Sequence, residues 1–200
     1  LATLDLTDAG AVAARVDAFR PQLVVNAAAY TAVDKAEADS MAADVVNHQV
    51  VATLAENCRR HGARLIHVST DFVFDGAAGV PYAPDAPVNP LSVYGKTKHD
   101  GELALQRILP GSGVVIRTAW LYSAIGNNFV KTMLRLMRER KEIRVVCDQV
   151  GTPTHAGGLA EVIRRMALDA SVAGVFHWTD AGVASWYDFA VAIYEEGCAL

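Results

Sequence analysis

The segment Leu65-Ile66-His67-Val68-Ser69-Thr70-Asp71 gives the clearest indication of the fold. Its apolar run ends in small hydroxyl side chains, which is typical of a central strand in a parallel sheet, buried on both faces. Two other runs have the same form: Leu23-Val24-Val25 ends at Asn26-Ala27-Ala28-Ala29, and Val114-Val115-Ile116 ends at Arg117-Thr118. Helical patterns separate the three runs. The alternation predicts an α/β protein with a doubly wound parallel sheet.

End signals mark the helices between these strands. Thr7 or Asp8 can cap a first helix, and Gly62 closes a long helix that carries Val46, Val50, Leu54 and Cys58 at intervals of four. A third helix is predicted from near Ser92 to Leu109.

The pattern changes near residue 127. The pieces predicted there are a helix over Phe129–Arg138, a strand over Ile143–Val146, a strand over Gly174–Trp178 and a helix from Ser185. They indicate a smaller region rather than more of the same sheet. We therefore expect a dinucleotide-binding domain over residues 1–126 and a substrate-binding region over residues 127–200.

Composition excludes several classes of function. The 200 residues are 52% hydrophobic with a net charge of −4, which offers no electrostatic drive toward nucleic acid. No apolar run approaches membrane-spanning length, and the scattered cysteines (Cys58, Cys147 and Cys198) indicate reduced thiols in a cytoplasmic protein. The chain opens at Leu1 without a Met and ends inside a helical pattern at Leu200, so we expect a fragment of a longer protein.

Tyr94 and Lys98 are four residues apart, which places both side chains on one helical face. A phenol has a reference pKa of about 10, and a neighbouring ammonium lowers it. Such a pair can deliver a proton to a carbonyl oxygen while hydride reaches the carbon. A Tyr-x-x-x-Lys spacing is common by chance, but a preceding strand that ends in Ser69-Thr70 strengthens this interpretation.

Structural roles are the alternatives for four of the polar or aromatic candidates. Thr70 can satisfy a backbone group at a strand end, and Trp120 can be a core aromatic. His67 alternates with apolar neighbours, which favours a hydrogen-bonded core histidine over a ligand. Asn47 lies within the long helix and either packs there or hydrogen-bonds backbone close to the nicotinamide.

Five ordered blocks carry a family resemblance. They are Asn26-Ala-Ala-Ala-Tyr-Thr-Ala-Val-Asp-Lys-Ala-Glu37, Ser69-Thr-Asp-Phe-Val-Phe-Asp75, Tyr94-Gly-Lys-Thr-Lys98, Gly126-Asn-Asn-Phe129 and Asp148-Gln-Val-Gly-Thr-Pro-Thr154. Together they resemble the dTDP-4-dehydrorhamnose reductases, a family of extended short-chain dehydrogenases. The resemblance spans nearly the whole chain and implies a Rossmann-like fold, NADPH or NADH as cofactor, and reduction of the C4 keto group of a dTDP-sugar.

The resemblance also implies roles for individual residues. The catalytic residues are Tyr94 as proton donor, Lys98 as its pKa-lowering and ribose-binding partner, and Thr70 on the keto oxygen. The remaining cofactor residues are Asp5, Leu6, Ala27, Ala28 and Ala29. The substrate residues, besides Thr70, are Asp71, Trp120, Asn127, Asn128 and Gln149. No metal site is expected, and a homodimer is compatible with the sequence.

The blocks depart from the family in two places. The family's Gly-rich phosphate loop is expected before Leu1, so residues 1–200 alone are expected to bind the nicotinamide cofactor weakly. Phe72 stands where family members often carry a hydroxyl-bearing aromatic side chain.

Three alternative functions stay open at this point. Sugar dehydratases of this superfamily need an acidic residue where Phe72 stands, which disfavours elimination. Epimerases fit the blocks at Gly126 and Asp148 less well. A non-catalytic alternative is a nucleotide-binding subunit resembling the regulatory subunit of methionine adenosyltransferase, although Thr70, Tyr94 and Lys98 are all present.

Overall fold

The computed structural model describes residues 4–198, without the side chain of Cys198. The helices are α1 (Ala9–Phe19), α2 (Val33–Ala38), α3 (Ser40–Asp44), α4 (Val50–His61), α5 (Val93–Ile108), α6 (Phe129–Glu139), α7 (Ala156–Leu168) and α8 (Trp186–Cys198). The strands are β1 (Leu23–Asn26), β2 (Arg64–Thr70), β3 (Gly113–Thr118), β4 (Leu121–Tyr122), β5 (Val150–Gly151), β6 (Thr154–His155), β7 (Gly174–His177) and β8 (Ala184–Ser185). A π-helical turn spans Val45–Gln49, and a 3-10 turn spans Asp71–Val73.

One four-stranded sheet has the order β1-β2-β3-β7. β1 runs parallel to β2, with Leu23 opposite Arg64, and β3 runs parallel to β7, with Val114 opposite Gly174. All six residues of β3 are buried, as expected for a strand covered on both faces. The structure confirms the α/β class, the parallel sheet and the three strands predicted from apolar runs.

Local signals fix where the helices begin and end. The Asp8 carboxylate accepts a hydrogen bond from the Ala11 amide at 2.9 Å and begins α1. The Ser92 hydroxyl accepts one from the Gly95 amide at 3.1 Å and begins α5. Gly62 ends α4 in the left-handed conformation at φ 65°, which favours glycine. These ends agree with the prediction.

The chain divides into two compact units, and each has its own core. The first unit comprises the chain up to Arg117 together with Arg165–His177. Its core contains Val12, Val16, Val50, Val51, Leu54, Ala55, Cys58, Ala63, Leu65, Leu105, Leu109 and Val115. Full burial of one such aliphatic side chain contributes roughly 1.5–3 kcal/mol.

The second unit comprises Thr118–Arg164 and the chain from Trp178 onward. α6 packs against α8 around the buried Met133, Ala190 and Ile193. Two short ladders complete it: β4 pairs with β6 in parallel, and β5 pairs with β8 antiparallel. The division of binding roles between residues 1–126 and 127–200 stays a prediction.

Two expectations about elements were wrong. The strand predicted over residues 143–146 is an extended segment without ladder partners, and Ile143 and Val145 pack on the α6–α8 core instead. β7 joins the main sheet beside β3, because long-range pairing and not local pattern decides which sheet a short apolar run enters. The long helix that Gly62 closes is confirmed, and its first turn is the π-helical turn.

Cys58 is buried and Cys147 is exposed, and both are free thiols. The predicted helical continuation to Leu200 lies outside the described residues. Within residues 4–198, no helix combines the length and apolarity needed to cross a membrane.

Candidate active site

Thr70 and Asp71 lie where β2 ends and the 3-10 turn begins. The Thr70 hydroxyl accepts a hydrogen bond from the Phe72 amide at 3.2 Å and donates one to the Asp71 carboxylate at 3.1 Å. Burial raises the pKa of Asp71, although hydrogen bonds from Thr70 and from backbone amides oppose it. Thr70 therefore satisfies a backbone group, which was its predicted structural role, and also contacts the half-buried Asp71 carboxyl.

Tyr94 is buried in the first turn of α5, against the same strand end. The Thr70 side chain acts on the pKa of its phenol, and its ring meets the Phe72 ring edge-on with centroids 5.5 Å apart. The next residue must be glycine, because a Cβ at Gly95 would overlap the Phe72 carbonyl oxygen. The structure thus brings Thr70, Asp71 and Tyr94 together at the carboxyl end of β2.

The pKa of Tyr94 is raised rather than lowered. Burial is the main cause, the negative charge of Asp71 adds to it, and the hydrogen bond from Thr70 opposes it. Lys98 is not among these influences, because its nitrogen points to other partners. The structure therefore does not show the lowered Tyr94 pKa that the sequence predicted, and it keeps this phenol protonated at neutral pH.

Lys98 is buried one turn after Tyr94, with 1% of the residue exposed. Its Nζ donates to the Val68 carbonyl oxygen at 2.7 Å and lies 3.1 Å from His67 Nε2. Burial lowers the pKa of Lys98 to about 8, and the charge of Glu102 opposes this shift only in part. His67 is a fully buried, hydrogen-bonded core histidine, as expected, and its pKa is lowered first by burial and then by Lys98.

Glu102 forms a second buried polar network on α5. Its carboxylate accepts from Arg117 at 2.7 Å and from Ser69 at 2.5 Å. Burial alone would raise the pKa of Glu102, but hydrogen bonds from His99, Arg117 and Ser69, together with the charge of Arg117, hold it below its usual value. Arg117 also donates to the Pro84 carbonyl oxygen at 3.1 Å. The sequence did not single out Glu102, because an acidic residue in a helical pattern is usually solvent-exposed.

Three of the predicted cofactor residues line one groove. Leu6, Ala27 and Ala28 border an apolar cavity of about 270 Å³, together with Leu4, Val12, Arg15, Val16, Phe19, Pro21, Val24, Val25, Asn26 and Leu54. The cavity extends from Pro21, before β1, to Ala27 and Ala28, after it, so it follows the strand and not only its carboxyl end, and the cofactor roles of these residues stay predictions. The exposed Asp5 carboxylate accepts hydrogen bonds from the amide and hydroxyl of Thr7, which lower its pKa.

Asn47 fixes the loop that follows β1 to the active-site helix. Its amide oxygen accepts from the Tyr30 amide at 2.8 Å, and its nitrogen donates to the Tyr30 carbonyl and the Thr97 hydroxyl, both at 3.2 Å. Gly101 on α5 allows close approach here, since a Cβ would overlap the Asn47 carbonyl oxygen. Asn47 therefore joins three segments, a role that its position in a helical pattern left open.

The other predicted substrate residues belong to the second unit. Trp120 stacks on Trp186 with ring centroids 3.5 Å apart. Asn128 begins α6 by accepting from the Lys131 amide at 3.2 Å, so part of its hydrogen-bonding capacity serves the fold. Asn127 and Gln149 are exposed. Their roles toward a substrate stay predictions.

Comparison with known proteins points to one family. The family model described as the RmlD substrate binding domain matches residues 1–199. A dTDP-4-dehydrorhamnose reductase of Aggregatibacter actinomycetemcomitans is 44% identical over 201 residues, which cover 98% of this chain and 68% of that protein. A dTDP-4-keto-6-deoxy-D-glucose reductase of Streptomyces niveus is 46% identical over 187 residues, covering 94% of this chain and 65% of that protein.

A solved structure agrees with these matches. The dTDP-4-dehydrorhamnose reductase of Bacillus anthracis, in complex with NADP, superposes with a TM-score of 0.94 at 37% identity, over 98% of this chain and 69% of that one. The chain spans about two thirds of the length of these relatives. Sequence and fold together show that the chain belongs to the RmlD substrate-binding-domain family.

Proposed function

We propose that the chain carries the catalytic residues of an NADPH- or NADH-dependent reductase that converts dTDP-4-dehydro-L-rhamnose to dTDP-L-rhamnose. The observation that carries the proposal is the cluster at the carboxyl end of β2, where Thr70 and Asp71 both act on the buried Tyr94 phenol and Lys98 is buried one turn further along α5. The relatives' names agree with this activity.

When bound, the nicotinamide supplies the hydride that reaches C4 of the sugar. Tyr94 supplies the proton to the keto oxygen. Its raised pKa keeps the phenol protonated at neutral pH but also makes it a weaker acid, so the phenolate that forms needs a stabilising positive charge nearby. The Thr70 hydroxyl, whose single proton points to Asp71 in the free protein, would turn it toward the keto oxygen and stabilise the negative charge that develops there.

Lys98 supports Tyr94 electrostatically. A positive charge one helical turn away favours the phenolate that remains after proton transfer. The same ammonium can bind a ribose hydroxyl of the cofactor. Leu6, Ala27 and Ala28 would hold the dinucleotide in their groove, with Ala29 and Asp5 beside it. Asp71, Trp120, Asn127, Asn128 and Gln149 are proposed to contact the nucleotide-sugar.

A second candidate substrate is another dTDP-linked 4-keto-6-deoxy sugar. The Streptomyces niveus relative is as similar to this chain as the rhamnose-pathway relative is, and its name specifies a different 4-keto sugar. The chemistry at Thr70 and Tyr94 is the same for both substrates, so the difference lies in the sugar's stereochemistry.

The test is oxidation of NADPH or NADH by the full gene product, followed by nicotinamide absorbance, with each keto-sugar generated enzymatically. Tyr94→Phe keeps the ring and removes the proton, so we expect kcat to fall by roughly 10²–10⁴-fold. Tyr187→Phe, which removes the hydroxyl of an exposed tyrosine, is the matched control and should keep full activity. No turnover of either sugar by a folded, cofactor-binding protein would contradict the proposal and favour a binding role.

A further inference from the structure

Trp120 lies just beyond the carboxyl end of β3, with a backbone conformation that is rare for a bulky residue. Its φ is 49°, in the left-handed region, where a residue with a large side chain is strained. The Trp120 carbonyl oxygen accepts a hydrogen bond from the Thr154 amide at 3.2 Å, and the next residue, Leu121, begins β4. Such strain persists only where the surrounding structure imposes it, and it is common at ligand sites. Trp120 is therefore held in place by contacts from other segments.

One face of the Trp120 indole is covered by Trp186. The two rings are stacked at 11° to each other, with centroids 3.5 Å apart. The Phe129 ring packs on Trp186 in turn, with centroids 4.6 Å apart, so Trp186 is supported from α6. Trp120 therefore cannot tilt toward Trp186.

Gly151 lies against the opposite face of the indole. A Cβ built on Gly151 would lie 2.7 Å from Cε2, 2.8 Å from Cζ2 and 3.0 Å from Nε1 of Trp120. The shortest distance is to Cε2, which lies between the other two atoms, so the added carbon would be above the ring and not beside its edge. The face stacked on Trp186 has no room for it. Only glycine at this position therefore lets Trp120 keep its place, since the ring cannot retreat into Trp186.

The junction between β8 and α8 places both neighbours of the ring. Trp186 is the first residue of α8. The helix begins with a reciprocal pair, in which the Asp188 carboxylate accepts from the Ser185 amide at 2.9 Å and the Asp188 amide donates to the Ser185 hydroxyl at 3.0 Å. Gly151 pairs with Ala184 in the β5–β8 ladder, two residues before Trp186. The two sides of the indole are thus fixed by one piece of chain.

We propose that Trp186 and Gly151 form a clamp that positions Trp120 for the nucleotide-sugar. Trp186 stacks on one face of the indole, and Gly151 leaves the other face without a side chain. Both are positioning residues that act through Trp120. The proposal deepens the proposed function and rests on it, because Trp120 is one of the residues proposed there to contact the sugar.

A double-mutant cycle on the full gene product tests whether Trp186 acts through Trp120. The variants are Trp120→Leu, Trp186→Leu and the double variant, and kcat and both KM values are measured for each. We expect KM for the keto-sugar to rise roughly five- to tenfold in each single variant, because an oriented aromatic contact is lost. KM for the cofactor should not change. The double variant should be no worse than Trp120→Leu.

Further variants keep the test decisive if Trp186→Leu does not fold. Trp186→Phe retains a ring under the indole and should raise the sugar KM less than Trp186→Leu. Gly151→Ala leaves both indoles in the protein but displaces Trp120, so it should raise the sugar KM as far as Trp120→Leu does. Gly111→Ala is the matched control, since a Cβ there has no atom within 4 Å, and Tyr187→Leu is the control on α8. Both controls should keep the wild-type KM.

Circular dichroism gives a readout that needs no turnover. Two indoles stacked 3.5 Å apart couple their electronic transitions, which produces a pair of bands of opposite sign in the far ultraviolet. Trp120→Leu and Trp186→Leu should each abolish this pair of bands. Gly151→Ala should weaken it, because the added carbon displaces the Trp120 ring.

An unchanged sugar KM in Trp186→Leu and Gly151→Ala would overturn the proposal. Additive increases in the double variant would overturn it too, since Trp186 would then act independently of Trp120. An unchanged KM in Trp120→Leu would remove the sugar contact and the clamp's role with it. Absence of turnover would refute the proposed function, and the dichroism then tests the clamp alone: wild-type protein without the paired bands would contradict the stacking.

Discussion

Helix α5 carries two buried charged side chains one turn apart, Lys98 and Glu102, and they are held in opposite ways. Glu102 is wholly buried, and Arg117, Ser69 and His99 supply a counter-charge and hydrogen bonds. Lys98 is equally buried, but its hydrogen-bonding partners are a carbonyl oxygen and a neutral imidazole. The pKa of Glu102 is lowered, which favours its charged form, and that of Lys98 is lowered, which disfavours its charged form.

The difference separates a structural charge from a functional one. The Glu102–Arg117 pair links α5 to β3, and its hydrogen bonds to Ser69 and Pro84 add β2 and a loop. A buried charge with a complete set of partners is costly to break and offers nothing to a ligand. A buried lysine with a shifted pKa and no carboxylate partner is typical of a functional site. Three measurements test whether Lys98 and Glu102 differ in this way.

The largest effect is expected for the activity of Lys98→Met. We expect kcat/KM to fall by roughly 10²–10⁴-fold, since the phenolate of Tyr94 loses its electrostatic support. The free energy of unfolding at neutral pH should change by less than about 1 kcal/mol. The variant removes the desolvation cost of a buried charge, and this gain offsets the loss of the hydrogen bonds that Lys98 makes with His67 and Val68. Urea denaturation and the reductase assay measure the two quantities.

Lys96→Met is the matched control on the same helix. Its side chain is 69% exposed and pairs with Asp100 at 2.9 Å. Full activity and a stability change within about 0.5 kcal/mol are expected, as for exposed ion pairs. If Lys98→Met is as active as Lys96→Met, the claim that Lys98 supports the reaction is wrong.

The next effect concerns the stability of Arg117→Met. This change leaves the Glu102 carboxylate buried without its counter-charge, so we expect the free energy of unfolding to fall by about 3–5 kcal/mol. The double variant Glu102→Leu/Arg117→Met removes the stranded charge and should recover much of the loss. If the single and double variants unfold at the same urea concentration, the loss of stability in Arg117→Met does not come from the unpaired Glu102 carboxylate.

The smallest effect is a pH dependence of stability that belongs to Lys98. Its pKa is about 8 in the folded chain and 10.5 as a reference value, so between these values the unfolded chain holds the extra proton. The stability of the wild type relative to Lys98→Met should therefore rise with pH from about 8 to 10.5, by on the order of 1–3 kcal/mol.

Subtracting the stability of Lys98→Met from that of the wild type at each pH isolates the contribution of Lys98. The raised pKa of Tyr94, and that of Cys58, raised by burial to about 11, lower stability at high pH, but both groups are present in each protein. If the stability of the wild type relative to Lys98→Met stays constant or falls across this pH range, burial does not lower the pKa of Lys98.

Local sequence predicted the elements of the first unit well. Runs of Leu, Ile and Val gave β1, β2 and β3, and Asp8, Gly62 and Ser92 marked helix ends because caps act within one turn. The segment at 143–146 shows the limit. Ile143 and Val145 alternate as in a strand, yet alternation only places apolar side chains on one side, and that side packs on helices.

The candidate site divides in the same way. The spacing of Tyr94 and Lys98 predicted that both side chains share a helical face. The spacing did not predict where the Lys98 nitrogen points, because its partners His67 and Val68 lie on β2, about thirty residues earlier in the chain. The Glu102–Arg117 pair was missed for the same reason, and the choice between the two roles of Asn47 stayed open until its partners Tyr30 and Thr97 were located.

The α/β class, the position of the strand ends and the residue types available for proton transfer were therefore predictable from the amino-acid order, since they depend on periodicity and on neighbours within a few positions. The sheet that β7 joins and the directions of the pKa shifts of Tyr94 and Lys98 followed only from the folded chain. Each of these depends on burial and on hydrogen bonds between residues far apart in the chain, and no local pattern encodes which polar groups meet when water is excluded.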